Sequence, residues 1–334
     1  MSVWSACSST EATPTPPAAA AAGGENNDAP TTNAGGGADA GGPDAAIGGV
    51  PSADFGGAPA ADCGPAAPPH AWASWRVPEP EGAGGETALP YTLTADTATD
   101  TLTGLTWQRH HAPEPLDWQT AASYCSCLSL EGYDDWTLPS RLELVSLVDY
   151  TRQNPALDSE AFPETPFEWF WSASPTAESS ERYWFVAFWD GNTHAATVDQ
   201  PYWTRCVRQS KGSAHRYDLS IAGTVRDVST QLTWQQAASA DRVVWTDAAA
   251  ACATLDLQGQ GWRLPNMKEL QTLVDESRAS PAIDTQAFPD TPAEGFWAAT
   301  PLVGSTTSAW FVSFDEGIAY NALTTHLYRY RCVR

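Results

Sequence analysis

The sequence is poor in basic residues: Lys and Arg together number 17, against 40 Asp and Glu, which gives a formal net charge of −23 over 334 residues. Binding to nucleic acid or to an anionic lipid surface depends on clustered Lys and Arg. The composition therefore argues against both kinds of partner. The acids are spread along the whole chain rather than gathered in one tail, which is typical of a solvated surface in a salty or extracellular medium.

Long hydrophobic runs are also missing, because no stretch reaches the ~18 apolar residues of a membrane helix. The first seven residues, MSVWSAC, instead place Cys7 directly before a low-complexity segment. This arrangement resembles the lipidated cysteine of bacterial lipoproteins, although a basic and then fully apolar segment does not precede it. Two interpretations stay open for Cys7: the lipid anchor of an outer-membrane or cell-surface protein, and a stray thiol. Membrane contact is expected only through such an anchor.

Residues 1–70 have few aromatic residues and hardly any branched aliphatics, and consist mainly of Ala, Gly, Pro, Thr and Asp. A segment of this kind buries too little apolar surface to offset the entropy of ordering it. The composition predicts a disordered tether. As a Gly-rich coil of ~60 residues, it would average roughly 40–45 Å from end to end.

The rest of the chain is a duplication. The segment WTLPSRLELVSLVDYTRQNPALDSEAFPETP (136–166) matches WRLPNMKELQTLVDESRASPAIDTQAFPDTP (262–292), and RCVR ends both copies, at 205–208 and 331–334. A match over more than about 100 residues with one gap indicates duplication rather than chance. Each copy is long enough to be a domain that folds separately.

Helical and strand patterns recur in both copies. An S-x-x-E capping box at Ser140 and Glu143 begins one helix, and Asn266 with Glu269 gives a close variant. The strings YWFVAF and AWFVSF predict strands, and the segments ending in RCVR predict a closing strand. The sequence predicts an α+β fold with four parts: a tether (1–70), a first domain (71–208), a linker (209–216) and a second domain (217–334).

Four of the seven cysteines recur in the repeat, one in the first helix and one in the last strand of each copy. Disulfides Cys125–Cys206 and Cys252–Cys332 would join the two ends of each domain, and they would require an oxidising compartment. The alternative is four buried free thiols in a cytosolic protein.

Cys127 belongs to the first copy alone, because Thr254 stands at the matching position. Its expected partner is Cys63, just upstream of that copy. This pairing leaves Cys7 as the odd cysteine, which suits lipidation.

The strings LTGLTWQ, WTLPSRLEL, FPETP, WSAS, WFVAF and RCVR, in this order, resemble the Lcl C-terminal domain family over about 97–208 and 217–334. The resemblance implies a C-type-lectin-like, formylglycine-generating-enzyme-like fold on bacterial secreted or surface proteins. For the collagen-like adhesin that names the family, it implies attachment to sulfated polysaccharide. This chain lacks the Gly-X-Y period of collagen and both of its domains are acidic, so a polyanionic ligand is not expected here.

Motifs of catalysis are scarce. The sequence has no H-E-x-x-H, no G-x-S-x-G and no phosphate-cradling Gly loop, and none of its six His recurs in both copies. No cofactor is expected. Calcium binding at Asp134 and Asp135 is the remaining metal hypothesis. The alternative is that these two residues are solvated surface acids. Cys125 and Cys127 could form a redox or copper pair. The alternative is that Cys125 forms the domain-closing disulfide with Cys206.

Aromatic residues near strand ends are the best ligand-binding candidates, because sugars stack on aromatic rings. Core packing is the alternative explanation. The candidates are Trp189, Tyr202 and Trp203 in the first copy and Tyr328 and Arg329 in the second.

These observations predict a secreted or surface protein that binds or adheres without catalysis, with a glycan or an envelope, matrix or extracellular protein as its ligand. Two alternatives stay open. One is a thiol- or metal-dependent enzyme on the related fold, and the other is a purely structural envelope protein.

Overall fold

The computed structural model describes Ala73, residues 91–209 and residues 216–334. The described residues of both copies lie in the same compact unit. Features predicted from the sequence that lie wholly or largely outside the described residues are the tether (1–70), Cys7, Cys63 and the linker (209–216).

The first copy contains seven strands and two short helices among its described residues. They are β1 (Tyr91–Leu93), β2 (Thr97–Asp100), β3 (Thr106–Gln108), α1 (Trp118–Ser126), α2 (Arg141–Leu147), β4 (Trp169–Thr176), β5 (Ser179–Ala187), β6 (Thr193–Thr197) and β7 (Val207–Arg208).

The second copy repeats this order, with one difference at its end. Its elements are β8 (Tyr217–Asp218), β9 (Thr224–Asp227), β10 (Thr233–Gln235), α3 (Trp245–Ala253), α4 (Met267–Gln271), β11 (Gly295–Pro301), β12 (Ser308–Ser313) and β13 (Ile318–Leu323). The predicted closing strand is reduced to isolated bridges, in which Val333 pairs with Trp234 and Arg263. Arg334 continues this pairing, because its backbone exchanges two hydrogen bonds with that of Thr233, at 2.8 and 2.9 Å.

The helices begin where the local sequence predicts. Ser140 and Glu143 form both hydrogen bonds of a capping box at the start of α2, and Asn266 and Glu269 do the same for α4. Asp117 caps α1 by accepting a hydrogen bond from the Thr120 backbone. A cap of this kind stabilises a helix by about 1 kcal/mol.

The described chain is mostly β-sheet. One sheet has the order β1–β2–β3–β7, a second has the order β10–β9–β8, and a six-stranded sheet has the order β11–β12–β13–β6–β5–β4. The six-stranded sheet therefore takes three strands from each copy. At about 4.8 Å between neighbouring strands, it is roughly 24 Å wide.

The two copies meet at the seam between β6 and β13, which pair antiparallel with Thr193 opposite Ala319. The Ala319 N–H also donates a hydrogen bond to Thr193 Oγ1, at 3.1 Å. Each of these strands would otherwise leave an unpaired edge exposed. The pairing completes both edges and makes one sheet from two repeats.

The inner face of this sheet packs against α2 and α4. Buried residues of both copies form a single cluster there, including Leu144 and Val186 from the first copy and Leu270 and Val312 from the second. The copies are similar tandem domains, as predicted, but they share this core. The joint core leads us to expect that the two copies unfold together.

The outer face carries a smaller core in each copy. In the first copy, α1 contributes Ala121 and Cys125, which pack with Trp136, Trp171 and Cys206. The second copy repeats this arrangement around α3 and the cysteines Cys252 and Cys332. These outer cores leave part of the sheet face open beside them.

The repeated RCVR motif has a structural role. Arg205 is fully buried, and its guanidinium donates hydrogen bonds to the Gln108 carbonyl at 3.0 Å and to Thr165 Oγ1 at 2.7 Å. It also lies 4.6 Å from the centre of the Phe162 ring. Burial lowers the pKa of this guanidinium to about 9. Arg331 makes the equivalent contacts, so the motif ties the end of each copy to the loops around it.

Both predicted domain-closing disulfides are present. Cys125 bonds to Cys206 and Cys252 bonds to Cys332, across sequence separations of 81 and 80 residues. Cys127 is also disulfide-bonded, and Cys63, its predicted partner, lies outside the described residues. Both sulfurs of the Cys125-x-Cys127 motif are therefore in disulfides, as the disulfide interpretation expects for Cys125.

Candidate functional site

The open part of the outer sheet face carries aromatic side chains. Successive side chains of a strand point to opposite faces. In β5, Val186 points into the shared core and Phe185 points to the outer face. The same alternation brings His194 of β6 and Phe311 and Tyr320 of the second copy to the outer face.

Tyr202 is the centre of the aromatic cluster in the first copy. Its ring centroid lies 4.6 Å from that of Trp171 and 5.1 Å from those of Trp169 and Phe185. Trp189 extends the cluster, at 5.4 Å from Trp169. Trp171 is fully buried, whereas Trp169, Trp189 and Tyr202 are half-buried.

The cluster of the second copy is smaller. Tyr328 stacks on Phe311 at 4.4 Å and contacts Trp297 at 4.8 Å. Gly295 stands where the first copy has Trp169, and a Cβ added at Gly295 would come within 2.7 Å of the Tyr328 ring. The two copies therefore present different surfaces at equivalent positions.

His194 and Tyr320 occupy equivalent positions in the two copies, and they meet at the seam with ring centroids 6.0 Å apart. Phe185 stacks on His194 at 5.9 Å. The Ala195 N–H donates to His194 Nδ1 at 2.7 Å, so Nε2 carries the proton of the neutral ring. Burial lowers the pKa of His194, which favours this neutral form.

The tyrosines of this face are kept protonated. Burial raises the pKa of Tyr202, Tyr320 and Tyr328, and the nearby Glu316 carboxylate raises that of Tyr320 further. Each hydroxyl can therefore donate a hydrogen bond as well as accept one. The surface combines flat apolar ring faces with polar groups at their edges.

We call this set of outer-face rings the aromatic row. Its members are Trp189, Trp169, Tyr202, Phe185, His194, Tyr320, Phe311 and Tyr328.

Three of the five residues proposed from the sequence, Trp189, Tyr202 and Tyr328, lie in the aromatic row. Trp203 does not, because it follows Tyr202 directly and points to the other side, where its ring lies 4.6 Å from that of His111 and packs on the shared core.

Arg329 also lies outside the aromatic row. Its guanidinium pairs with Glu294 at 2.8 Å and donates to the Ser239 carbonyl at 3.0 Å. These bonds hold the guanidinium against its own domain, and a role of Arg329 in ligand binding stays a prediction.

Five members of the aromatic row were not predicted from the sequence. The missed residues are Trp169, Phe185, His194, Phe311 and Tyr320. The sequence pattern that could have identified them is the alternation of residues along the aromatic strands, which places every second side chain on one face. This alternation does not indicate which of the two faces is open to solvent.

Metal ligands do not gather at the aromatic row. In the part of the chain that the structure describes, no three His, Cys, Asp or Glu side chains lie close enough to hold a metal ion. Asp135, one of the two calcium candidates, is paired with Arg208 at 2.7 Å.

Beside the aromatic cluster of the second copy lies an ion-pair network with a pH-dependent role. Arg242 and Arg329 donate to the Glu294 carboxylate, at 2.7 and 2.8 Å. These hydrogen bonds lower the pKa of Glu294 to about 2. Because the folded-state pKa lies below the unfolded one, the network stabilises the fold above about pH 4.5, and this stabilisation is lost as the pH falls towards 2.

We expect Glu294→Gln to be less stable than the wild type at pH 7, with a difference that shrinks as the pH falls towards 2. Urea unfolding at a series of pH values, followed by tryptophan fluorescence, measures this difference. Glu168→Gln, at the equivalent exposed position of the first copy, is the control and should change stability little at any pH. A Glu294→Gln difference that stays constant across the series would contradict the assignment.

No helix among the described residues is long and apolar enough to cross a membrane. The disulfides are typical of an extracytoplasmic protein.

Comparison with known protein families supports the duplication seen in the sequence. A search of curated proteins found no match. A family model described as the Lcl C-terminal domain matches residues 96–208 and 223–334, which is more than half of the chain. The protein therefore belongs to the Lcl C-terminal domain family, a surface-related family, and carries two tandem copies of its domain.

Proposed function

We propose that the protein is an extracytoplasmic surface protein that binds a carbohydrate of an envelope or matrix without catalysing a reaction. The observation that carries this proposal is the cluster of half-buried rings around Tyr202 on the outer sheet face. A C-type-lectin-like fold is part of the proposal, supported by the disulfide that joins the first helix to the closing segment in each copy. Attachment through a lipid on Cys7 is also part of it.

The chemistry of the aromatic row favours a neutral sugar. The C–H face of a sugar ring stacks on the negatively polarised face of an aromatic ring, and the tyrosine hydroxyls and His194 Nε2 can bond to sugar hydroxyls. The protein carries a formal net charge of −23, and Asp190 directly follows Trp189 of the aromatic row. Such negative charge repels a sulfated polyanion.

The full chain should be retained at physiological salt by at least one immobilised neutral polysaccharide and not by heparin. Trp189→Ala should weaken this retention roughly two- to tenfold, because one aromatic contact contributes about 0.5–1.5 kcal/mol. Tyr133→Ala is the matched control, since Tyr133 is an aromatic residue with 45 % exposure outside the aromatic row.

Two results would contradict this function. Retention by heparin that Trp189→Ala leaves unchanged would indicate an electrostatic site elsewhere on the protein. Equal losses in Trp189→Ala and Tyr133→Ala would show that the aromatic row has no special part in binding.

A further inference from the structure

The aromatic row does not stop where the first copy ends. We propose that both copies form one continuous site for a single extended, neutral, equatorially linked sugar chain, which crosses the seam over His194 and Tyr320. This inference rests on the proposed function and specifies its ligand.

Ring contacts continue from one copy to the other without a break. From Trp169 the contacts pass to Tyr202 at 5.1 Å and then to Phe185 at 5.1 Å. Phe185, which is only 8 % exposed and supports the neighbouring rings, contacts His194 at 5.9 Å. His194 contacts Tyr320 across the seam at 6.0 Å. Tyr320 then leads to Phe311 at 6.4 Å, and Phe311 leads to Tyr328 at 4.4 Å.

Contacts between the two copies fix the position of the aromatic row at the seam. The strands on either side of it pair through their backbones at Thr193 and Ala319. Behind it, Arg141 of α2 forms a buried ion pair with Glu276 of the second copy, at 2.6 Å. A site whose parts are fixed before binding loses less conformational entropy when its ligand arrives. The contact between the copies therefore favours binding across the seam.

The shape of the aromatic row fits a sugar chain better than a protein. The row crosses the strands of a sheet roughly 24 Å wide, which is enough for several sugar rings in line. Its rings are buried or half-buried, so they offer little of the surface, about 800 Å² on each partner, that a stable protein interface buries. Equatorial linkages keep successive sugar rings flat and expose C–H faces along the chain. The protein's formal net charge of −23 disfavours an anionic ligand.

The two ends of the aromatic row are not equivalent. The first copy offers Trp169 and Trp189, and the second has Gly295 and Asp315 at these positions. A short sugar should therefore bind at the end formed by the first copy. A longer chain should add the contacts with the second copy.

Titration calorimetry of the full chain with cello-, chito- and manno-oligosaccharides tests the inference. In the series that binds, we expect the hexasaccharide to bind roughly tenfold tighter than the disaccharide, with one chain per protein, because the second copy then binds within the same complex. Tyr320→Ala should weaken binding of the hexasaccharide several-fold and leave the disaccharide unchanged. Trp189→Ala should weaken both, and Tyr320→Phe, which keeps the ring, should retain most of the affinity.

Tyr133→Ala is again the control outside the aromatic row, and the melting temperature of each variant shows that it is folded. Equal affinities for disaccharide and hexasaccharide, together with no effect of Tyr320→Ala, would overturn the continuous site and leave the proposed function intact. Binding of none of the three series, by calorimetry and on immobilised polysaccharide, would overturn both.

Discussion

Replacing Arg141 by Met should lower the free energy of unfolding by about 3–5 kcal/mol, because Glu276 would be left as a buried carboxylate without its cation. Arg141 is fully buried and Glu276 is 7 % exposed. The guanidinium donates to Glu276 Oε1 at 2.6 Å and to Gln271 Oε1 at 3.1 Å. Both acceptors belong to the second copy, so the loss falls on the contact between the copies.

Met is a suitable replacement because the second copy already has Met267, fully buried, at the equivalent position. The side chain therefore suits the start of such a helix. The variant removes a positive charge from the contact between the copies, together with the hydrogen bonds from Arg141 to Gln271. A cation lying 5.4 Å from the Trp184 ring is lost as well.

Unfolding in guanidinium chloride, followed by tryptophan fluorescence, measures the effect of Arg141→Met on stability. The double variant Arg141→Met with Glu276→Leu should recover much of the loss, because replacing both partners of a buried pair by apolar residues is often close to neutral. Arg152→Met is the control: Arg152 pairs with Asp149 at 2.9 Å but its side chain is 42 % exposed, so it should cost less than about 1 kcal/mol. Similar losses in Arg141→Met and Arg152→Met would show that the Arg141–Glu276 pair is no better shielded from water than the exposed pair of Arg152.

Removing either domain-closing disulfide should lower the stability of both copies together. In the chain-entropy model, a loop of about 80 residues gives up to about 4–5 kcal/mol, and often less in practice. The shared core joins residues of the two copies. We therefore expect the double variant Cys125→Ala with Cys206→Ala to unfold in a single transition at lower denaturant concentration, rather than to lose only the first copy.

The second copy offers a matched test, since its disulfide closes a loop of nearly the same length. Cys252→Ala with Cys332→Ala should shift the same single transition by a similar amount. Limited proteolysis of both double variants, with mass analysis of the fragments, shows which copy opens. Two separate transitions, one of them unchanged from the wild type, would mean that the copies fold independently despite the seam.

Much of the fold follows from local pattern. The capping boxes at Ser140 and Asn266 begin α2 and α4 because they involve residues only three positions apart. The pairing of Cys125 with Cys206 could be predicted because the duplication shows which cysteines recur together. The number of copies and the disulfides therefore required no knowledge of how the copies contact each other.

Other features depend on which surfaces meet in three dimensions. Tyr202 and Trp203 are equally aromatic neighbours in the sequence, and only their packing shows that the first lies on the outer face and the second against the core. His194 and Tyr320 stand at matching positions of the two copies, yet the repeat does not indicate that they touch. Their contact exists because β6 and β13 pair through Thr193 and Ala319, 126 residues apart. Pairing of two strand edges is selected by the packing of the whole sheet and its helices, which leaves no periodic mark in either strand.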